Sequence, residues 1–160
     1  MDTDNSLKTE LNNIIGKDVY TDGFLNREMM AGLIFNNTEL LGKVNKLVHP
    51  YVIRAFDQWC NSVTSRYAIF EAAILFESGA VSSTDRSLAV IAPLEERLMR
   101  VMERNIISRE QVEERMRNQL PESELITRAD FLISNNEDEL IIPQVIRIHN
   151  ELLTIINEKD

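Results

Sequence analysis

Residues 86–105 read RSLAVIAPLEERLMRVMERN, a short apolar run followed by a charged segment with helical periodicity. An uninterrupted apolar run is typical of a strand covered on both faces, usually in a parallel sheet. The run RYAIFEAAILFE at 66–77 predicts a second such strand, and ADFLIS at 129–134 predicts a third. Because helical segments separate and precede these runs, we predict an α/β fold with a thin parallel sheet.

The first 60 residues predict helices and no strand. SLKTELNNIIG at 6–16 has Ser6 as N-cap and Gly16 as its stop, a turn follows at 21–23, and Asn26 can cap a second helix. A third helix is predicted from 37 or 38 to His49-Pro50, and Pro50 is well placed as the first residue of a fourth.

Four further helices are predicted in the second half of the chain. One covers 94–104, one runs from a capping box of Ser108 and Gln111 to Gln119, and one opens at Pro121. The last is predicted for 138–157, with a buried stripe formed by Leu140, Ile141, Val145, Ile148, Leu152 and Ile155.

Length and charge restrict the class of protein. The 160 residues carry 17 lysines and arginines against 26 aspartates and glutamates, a formal charge of −9, and 44% of them are hydrophobic. These values predict one soluble domain with its own core. The acidic balance disfavours nucleic acid and anionic membranes as partners, since both attract positive charge. Apolar runs are too short for a membrane span and no signal-peptide pattern opens the chain, so we expect the cytoplasm.

Three scarce residue types limit the chemistry. Cys60 is the single cysteine, which excludes an internal disulfide and a cysteine-based zinc site. His49 and His149 have no second ligand at metal spacing, so no metal site is predicted. The five glycines are scattered, and neither GxxxxGKS/T nor GxGxxG can be written. Taken alone, the missing phosphate loop argues against a nucleotide enzyme.

A group of arginines is the strongest candidate for ligand binding. Arg97, Arg100 and Arg104 lie on the helix after the apolar run, and Arg115 and Arg117 lie on the next helix. Clustered guanidinium groups suit bidentate phosphate binding. Interleaved glutamates permit a second interpretation, in which the arginines pair with carboxylates on solvated helix faces. The pattern by itself favours the solvated faces.

Two other features also allow two interpretations. His49 at a helix–helix corner either faces a ligand or is a satisfied side chain at a turn. Glu71 and Glu77 lie in and just after an apolar run, so they either border the ligand crevice of an α/β sheet or cap a loop.

Six segments in chain order resemble the dephospho-CoA kinase family, a family of P-loop kinases. They are DGFLNREMMAGLIF at 22–35, VNKLVHP at 44–50, EAAILFESG at 71–79, DRSLAVIAPLEERLMRVMERN at 85–105, SREQVEERMRNQ at 108–119 and RADFLISNN at 128–136. The sequence departs from the family pattern at Ala73, where proline is usual, at Arg97, where glutamine is usual, and at Glu137, where glycine is expected. Six matches with compatible spacing identify the chain as a member of this family.

The resemblance implies a nucleoside-kinase-like three-layer fold with a parallel sheet, a helical substrate-binding insertion and lid helices. The resemblance also implies the reaction, which would transfer the γ-phosphoryl group of ATP to the ribose 3′-hydroxyl of dephospho-CoA with Mg²⁺ between the phosphates. This transfer is the last step of CoA synthesis. The residues expected at the dephospho-CoA site are Arg27, Phe35, His49, Pro50, Leu75, Phe76 and Glu77. Those expected at the lid and ATP site are Arg100, Arg104, Arg115, Gln119 and Asn135.

The family's opening strand, P-loop and catalytic acid have no counterpart in these 160 residues. We therefore expect a single truncated kinase domain over 1–160, with a helical CoA-substrate region at 21–65, a core at 66–104 and 129–160, and a lid at 105–128. No catalytic residue and no metal ligand is expected in this chain, which is predicted inactive by itself. A non-catalytic substrate- or partner-binding module is the alternative, and an unrelated α/β domain is a third hypothesis. The exposed sheet edge predicts self-association.

Overall fold

The computed structural model describes residues 5–34, 37–117 and 119–158, and the chain divides into two compact units, unit 1 (1–63) and unit 2 (64–160). The elements of unit 1 are α1 (Asn5–Ile15), β1 (Tyr20–Thr21), β2 (Phe24–Leu25), α2 (Arg27–Ile34) and α3 (Thr38–Cys60). Those of unit 2 are a 3-10 turn (Ala80–Ser83), β3 (Leu88–Ile91), α4 (Leu94–Asn105), α5 (Arg109–Met116), α6 (Glu122–Arg128), β4 (Phe131–Ser134) and α7 (Ile141–Asn157).

The predicted first helix is present, and its predicted stop is confirmed. Gly16 follows α1 with a φ of +72° and donates its N–H to Asn12 O at 2.8 Å, the left-handed ending that glycine adopts without strain. Ser6 was wrongly predicted as the N-cap. It lies inside α1, where its Oγ donates to Glu10 Oε1 at 3.1 Å.

The prediction of no strand in the first 60 residues is wrong, because a short hairpin follows α1 at the predicted turn. Asp22 and Gly23 both have positive φ, 51° and 84°, as a two-residue hairpin turn requires, and β1 and β2 pair antiparallel on either side. Asn26 caps α2 as predicted, its Oδ1 accepting from Met29 N at 2.9 Å. The turn and the cap therefore set the direction in which α2 leaves the hairpin.

One apolar core holds unit 1 together. Its fully buried members are Leu11, Val19, Met30 and Val44, and half-buried apolar side chains surround them. These four residues come from α1, the loop after it, α2 and α3, so each helix of the unit contributes to the same cluster. Burial of this kind is the main favourable term in folding.

The predicted helix break at Pro50 is wrong, because α3 runs continuously from Thr38 to Cys60. A proline inside a helix removes one backbone hydrogen bond and costs about 3 kcal/mol. Packing against α1 on both sides of Pro50 offsets this cost. Val44 lies in the core before the proline, and Tyr51 Oη donates to Glu10 Oε1 at 3.2 Å after it.

Unit 2 contains the predicted parallel strands. β3 and β4 pair in parallel over four residues each, from Leu88 opposite Phe131 to Ile91 opposite Ser134. α4 follows β3 directly and α6 precedes β4, which is the strand–helix alternation of an α/β fold. The predicted α/β class with a parallel sheet is therefore confirmed.

The predicted strand at 66–77 is wrong. Its first part has no regular structure and 73–79 form turns, with Ser78 N donating to Ile74 O and Gly79 N to Phe76 O. A strand needs backbone partners, and among the described residues β3 and β4 pair only with each other. The apolar composition of this segment produces half-buried turns instead of a strand.

The remaining helices are confirmed, with corrected boundaries. Ser108 and Gln111 form the predicted capping box, but α5 ends at Met116 and not at Gln119. The last helix begins at Ile141 and not at 138, because Asn136 Oδ1 accepts from two following backbone amides and holds 136–139 as a turn.

The predicted stripe on α7 is only partly buried. Ile148 is buried, whereas Leu140, Ile141 and Val145 are exposed at 79%, 41% and 47%. Leu152 and Ile155 are half-buried, so the later part of the stripe is covered better than its beginning, and α7 packs against β4. In the ranges that the structure describes, no helix combines the length and apolarity needed to cross a bilayer.

Candidate functional site

The predicted substrate residues of unit 1 lie on α2 and α3. Arg27 is the first residue of α2 and is exposed, and within the described part of the chain its guanidinium makes no hydrogen bond or ion pair. His49 is half-buried and Pro50 is exposed, both in the middle of α3. Phe35 lies outside the described residues. Arg27 therefore presents an uncommitted positive charge of the kind that binds phosphate.

Three predicted substrate residues belong to unit 2, in the turns at 73–79. Leu75 and Phe76 are half-buried, and Glu77 is exposed. The Glu77 carboxylate accepts a hydrogen bond of 2.6 Å from Leu120 N, 43 positions along the chain. Because 66–77 is not a strand, Glu77 does not lie at the end of one, and its carboxylate joins two loops instead.

Arg100 and Asn135, both predicted at the ATP site, meet at the carboxyl ends of the parallel strands. Asn135 follows β4, and its N–H donates to Ile91 O, the last residue of β3, at 2.8 Å. Arg100 of α4 donates to Asn135 O at 3.1 Å and to Glu96 Oε2 at 2.7 Å. In open α/β sheets, ligands bind outside the carboxyl ends of the strands. The two residues therefore lie where this class of fold binds its ligands.

Arg104, Arg115 and Gln119 are exposed. The Arg104 guanidinium donates to the adjacent Asn105 Oδ1 at 3.3 Å. Arg115 lies in the last turn of α5, and in the ranges described its side chain has no hydrogen bond or ion pair. Gln119 follows the helix, with its N–H donating to Met116 O at 3.0 Å. No described hydrogen bond brings these side chains to the Arg100–Asn135 pair.

Salt bridges with glutamate occur among the arginines, as the second interpretation of their pattern predicted. Arg100 pairs with Glu96 at helical spacing, and Arg97 of α4 lies 3.0 Å from a carboxylate oxygen of Glu122 at the start of α6. Arg100 also reaches the Asn135 carbonyl. The arginines therefore connect elements of unit 2 in addition to carrying surface charge.

Arg109 is a connecting residue that the sequence reasoning missed. Its two terminal nitrogens donate to the Glu95 carboxylate at 2.8 and 2.9 Å, and its Nε donates to Glu113 at 2.8 Å. These hydrogen bonds raise the pKa of Arg109 and lower the pKa of Glu95. The pair with Glu113 follows helical spacing and was readable in the sequence, whereas no local signal indicates Glu95, 14 residues away. Arg109 thereby joins the start of α5 to the start of α4.

A second missed contact joins the starts of the two strands. Ser87 is buried, and its backbone N and Oγ donate to Asp130 Oδ2 at 2.8 and 2.7 Å. These hydrogen bonds stabilise the charged carboxylate and hold the pKa of Asp130 below its usual value. Asp130 belongs to a segment that carries the family resemblance, and its contact aligns β3 with β4.

The side chains of the candidate site suit anions. Guanidinium and amide groups donate hydrogen bonds in the geometry that phosphate oxygens accept. The described residues contain no group of three or more His, Cys, Asp or Glu side chains that could hold a metal ion. No described side chain is therefore assigned as a ligand of Mg²⁺.

Comparisons with known proteins identify what this arrangement resembles. A family model described as Dephospho-CoA kinase matches residues 2–140. The Dephospho-CoA kinase of Bacteroides fragilis is 34% identical over 158 residues, which are 98% of this chain and 75% of the relative. That of Porphyromonas gingivalis is 38% identical over 143 residues, covering 89% and 71%. The crystal structure of TT1252 from Thermus thermophilus matches with a TM-score of 0.74 and 32% identity over 93% of this chain and 76% of that one. These likenesses confirm the predicted fold class and the predicted resemblance.

Proposed function

Because this chain belongs to the dephospho-CoA kinase family, we propose that its residues supply the substrate-receiving helices and the ATP lid of such a kinase. The reaction transfers the γ-phosphoryl group of ATP to the 3′-hydroxyl of dephospho-CoA, forming one P–O bond, breaking another and leaving ADP. Such catalysis consists mainly of positioning and of neutralising charge on the phosphates. Arginines suit both tasks, because they bind phosphate oxygens in a fixed geometry.

The contact between Arg100 and Asn135 carries this proposal. It brings two residues expected at the ATP site to the carboxyl ends of β3 and β4. The guanidinium already neutralises Glu96, so its remaining donors are the ones available to a nucleotide. Arg104, Arg115 and Gln119 are proposed to close over the phosphates from α4 and from the end of α5.

The dephospho-CoA side of the proposal rests on Arg27 of unit 1. Arg27 is proposed to bind an anionic group of the substrate, since its guanidinium is exposed and uncommitted within the described ranges. The resemblance also implies Phe35, His49 and Pro50 of unit 1 and Leu75, Phe76 and Glu77 of unit 2 for this substrate, but the Glu77 carboxylate is already committed to Leu120 N. Mg²⁺ would supply charge neutralisation between the phosphates and is assigned no residue here.

We also propose that a polypeptide of these 160 residues alone has negligible kinase activity. The sequence contains no GxxxxGKS/T loop, whose amides and lysine cradle the phosphates in P-loop enzymes. The same observation favours the alternative function, a non-catalytic module that binds dephospho-CoA or a protein partner. Three other expectations stay predictions. They are the single truncated domain with its core and lid boundaries, the cytoplasmic location, and the exclusion of nucleic acid and membranes as partners.

One preparation of the 160-residue polypeptide tests both functions. In an assay with ATP, Mg²⁺ and dephospho-CoA, we expect no CoA formation above background. The Bacteroides fragilis relative is the positive control.

Calorimetry with dephospho-CoA is expected to show binding that Arg27→Ala weakens. Lys17→Ala, the matched variant of another exposed cation, is expected to leave the binding unchanged. Turnover comparable with that of the relative would contradict inactivity, and an absence of heat would contradict the substrate site.

Self-association through β3 is a further proposal for unit 2. Leu88 and Val90 on this strand are exposed at 41% and 56%, and within the described residues β3 has β4 as its single partner strand. A strand with one unpaired edge and apolar side chains is prone to pair with another chain.

A further inference from the structure

Leu120, just before α6, is held by a side chain from a distant segment. The Glu77 carboxylate accepts from Leu120 N at 2.6 Å, and Leu120 directly follows Gln119. A carboxylate that accepts from a backbone N–H forms a charge-assisted hydrogen bond, stronger than one between neutral groups. The path of the chain beyond α5 therefore depends on where the Glu77 side chain is placed.

The turns that carry Glu77 are themselves well connected. Ser78 N donates to Ile74 O at 3.0 Å, Gly79 N donates to Phe76 O at 3.1 Å, and Ser78 Oγ donates to Leu75 O at 3.2 Å. These bonds fix the backbone on both sides of Glu77. The backbone that carries the Glu77 carboxylate is therefore held in place next to Leu120.

A second contact lies two residues beyond Leu120. Glu122, at the start of α6, pairs with Arg97 of α4 at 3.0 Å, and both side chains are about one-third exposed, at 35% and 33%. Leu125 N donates to Pro121 O at 3.1 Å, which closes the first turn of α6. The chain just before and at the start of α6 is therefore held twice, to Glu77 through Leu120 and to α4 through Glu122.

We propose that Glu77 is a positioning residue for the ATP lid, acting through the Leu120 N–H and not through contact with dephospho-CoA. The carboxylate fixes Leu120, which directly follows Gln119, and the Gln119 N–H in turn donates to Met116 O at 3.0 Å at the C-terminal end of α5, where Arg115 lies. This inference rests on the proposed function, because it assumes that Arg115 and Gln119 contact ATP. It changes the role of Glu77 from a side chain that borders the substrate to one that orders the lid.

The experiment compares three variants of the 160-residue chain. Glu77→Ala removes the acceptor, Glu77→Gln keeps an acceptor oxygen without the charge, and Glu103→Ala removes an exposed carboxylate of α4 that makes no hydrogen bond or ion pair within the described part of the chain. Circular dichroism checks that each variant is folded. The readouts are hydrogen exchange at the Leu120 amide, the affinity for ATP and the affinity for dephospho-CoA.

We expect exchange at Leu120 to be about tenfold faster in Glu77→Ala, the change that loss of a charged hydrogen bond produces. Glu77→Gln is expected to regain most of the protection, and Glu103→Ala to match the wild type. ATP affinity should follow the same order, while dephospho-CoA affinity stays unchanged in all three variants.

Two results would overturn the inference. One is unchanged Leu120 exchange in Glu77→Ala, and the other is an equal loss of dephospho-CoA affinity in Glu77→Ala and Glu77→Gln, which would indicate direct contact with the substrate. A wild-type chain that binds neither ligand would instead overturn the proposed function and the link to ATP. In that case, the exchange measurement still decides whether Glu77 positions Leu120.

Discussion

The two units of this chain are stabilised in different ways. Unit 1 has one apolar core, to which its three helices and the loop after α1 all contribute. Of the large hydrophobic side chains that are exposed among the described residues, three lie in unit 1, namely Phe24, Val52 and Trp59. Unit 1 therefore hides most of its apolar surface within itself.

Unit 2 exposes more large hydrophobic side chains, and polar contacts join its elements in addition to buried residues such as Leu98 and Val112. Twelve exposed large hydrophobics of the described part of the chain belong to it, among them Val90 on β3 and Leu140 before α7. Its elements are joined by Asp130 at the strand starts, by Arg109 between α4 and α5, and by Glu77 just before α6. The proposed ATP residues all lie in this unit.

The largest expected effect tests the apolar core of unit 1. Leu11 is fully buried in unit 1, and Leu140 is 79% exposed in unit 2, so the same Leu→Ala substitution samples both environments. Leu11→Ala is expected to cost about 2–5 kcal/mol of unfolding free energy, through lost burial and the cavity left behind. Leu140→Ala should change it by about 0.5 kcal/mol or less. Urea unfolding followed by circular dichroism measures both, and similar losses would remove the contrast between the units.

A smaller effect is expected from the polar contacts of unit 2. Asp130→Asn keeps an acceptor oxygen for Ser87 but removes the charge, and it should cost about 1 kcal/mol at pH 7 because the carboxylate is partly exposed. The folded state lowers the pKa of Asp130, so its stabilising effect is complete above the unfolded pKa of about 3.9 and is lost as the pH falls through the lowered value.

The measurement is thermal unfolding of the wild type and the variant between pH 7 and pH 2.5. We expect the wild type to lose more stability than Asp130→Asn below about pH 4, in proportion to the protonation of this carboxylate. Asp138→Asn, an exposed aspartate beyond β4, is the matched control and should follow the wild type. If all three show the same acid dependence, the Ser87–Asp130 contact does not contribute to the stability of unit 2.

Local signals in the sequence predicted much of the fold. The cap at Asn26, the stop at Gly16 and the box at Ser108 depend on hydrogen bonds within a few residues, and all three are present. Pro50 and the run at 66–77 were misinterpreted because their structure depends on distant partners. Packing on α1 keeps α3 intact through Pro50, and an apolar run without a neighbouring strand forms turns.

The candidate site shows the same limit. The family resemblance named Arg100, Asn135 and Glu77, but only the structure places Arg100 against the Asn135 carbonyl and Glu77 against the Leu120 amide. Arg109 has no signal for its partner Glu95, since a bond between two helices leaves no periodicity in the chain. Residue type can therefore indicate phosphate chemistry, whereas the contacts that position those residues require coordinates.

The smallest expected effect concerns the exposed apolar surface of unit 2. Val90 on β3 and Val52 on α3 are both partly exposed, at 56% and 41%, so Val→Lys at each position adds the same charge to a different unit. If β3 mediates self-association, Val90→Lys should weaken it about threefold, or about 0.7 kcal/mol, because a lysine on an unpaired strand repels a second copy. Val52→Lys should associate like the wild type. Light scattering over a range of concentrations measures the self-association. A wild-type chain that stays monomeric would show that the open surface of unit 2 does not pair with itself, and so would equal effects of the two lysines.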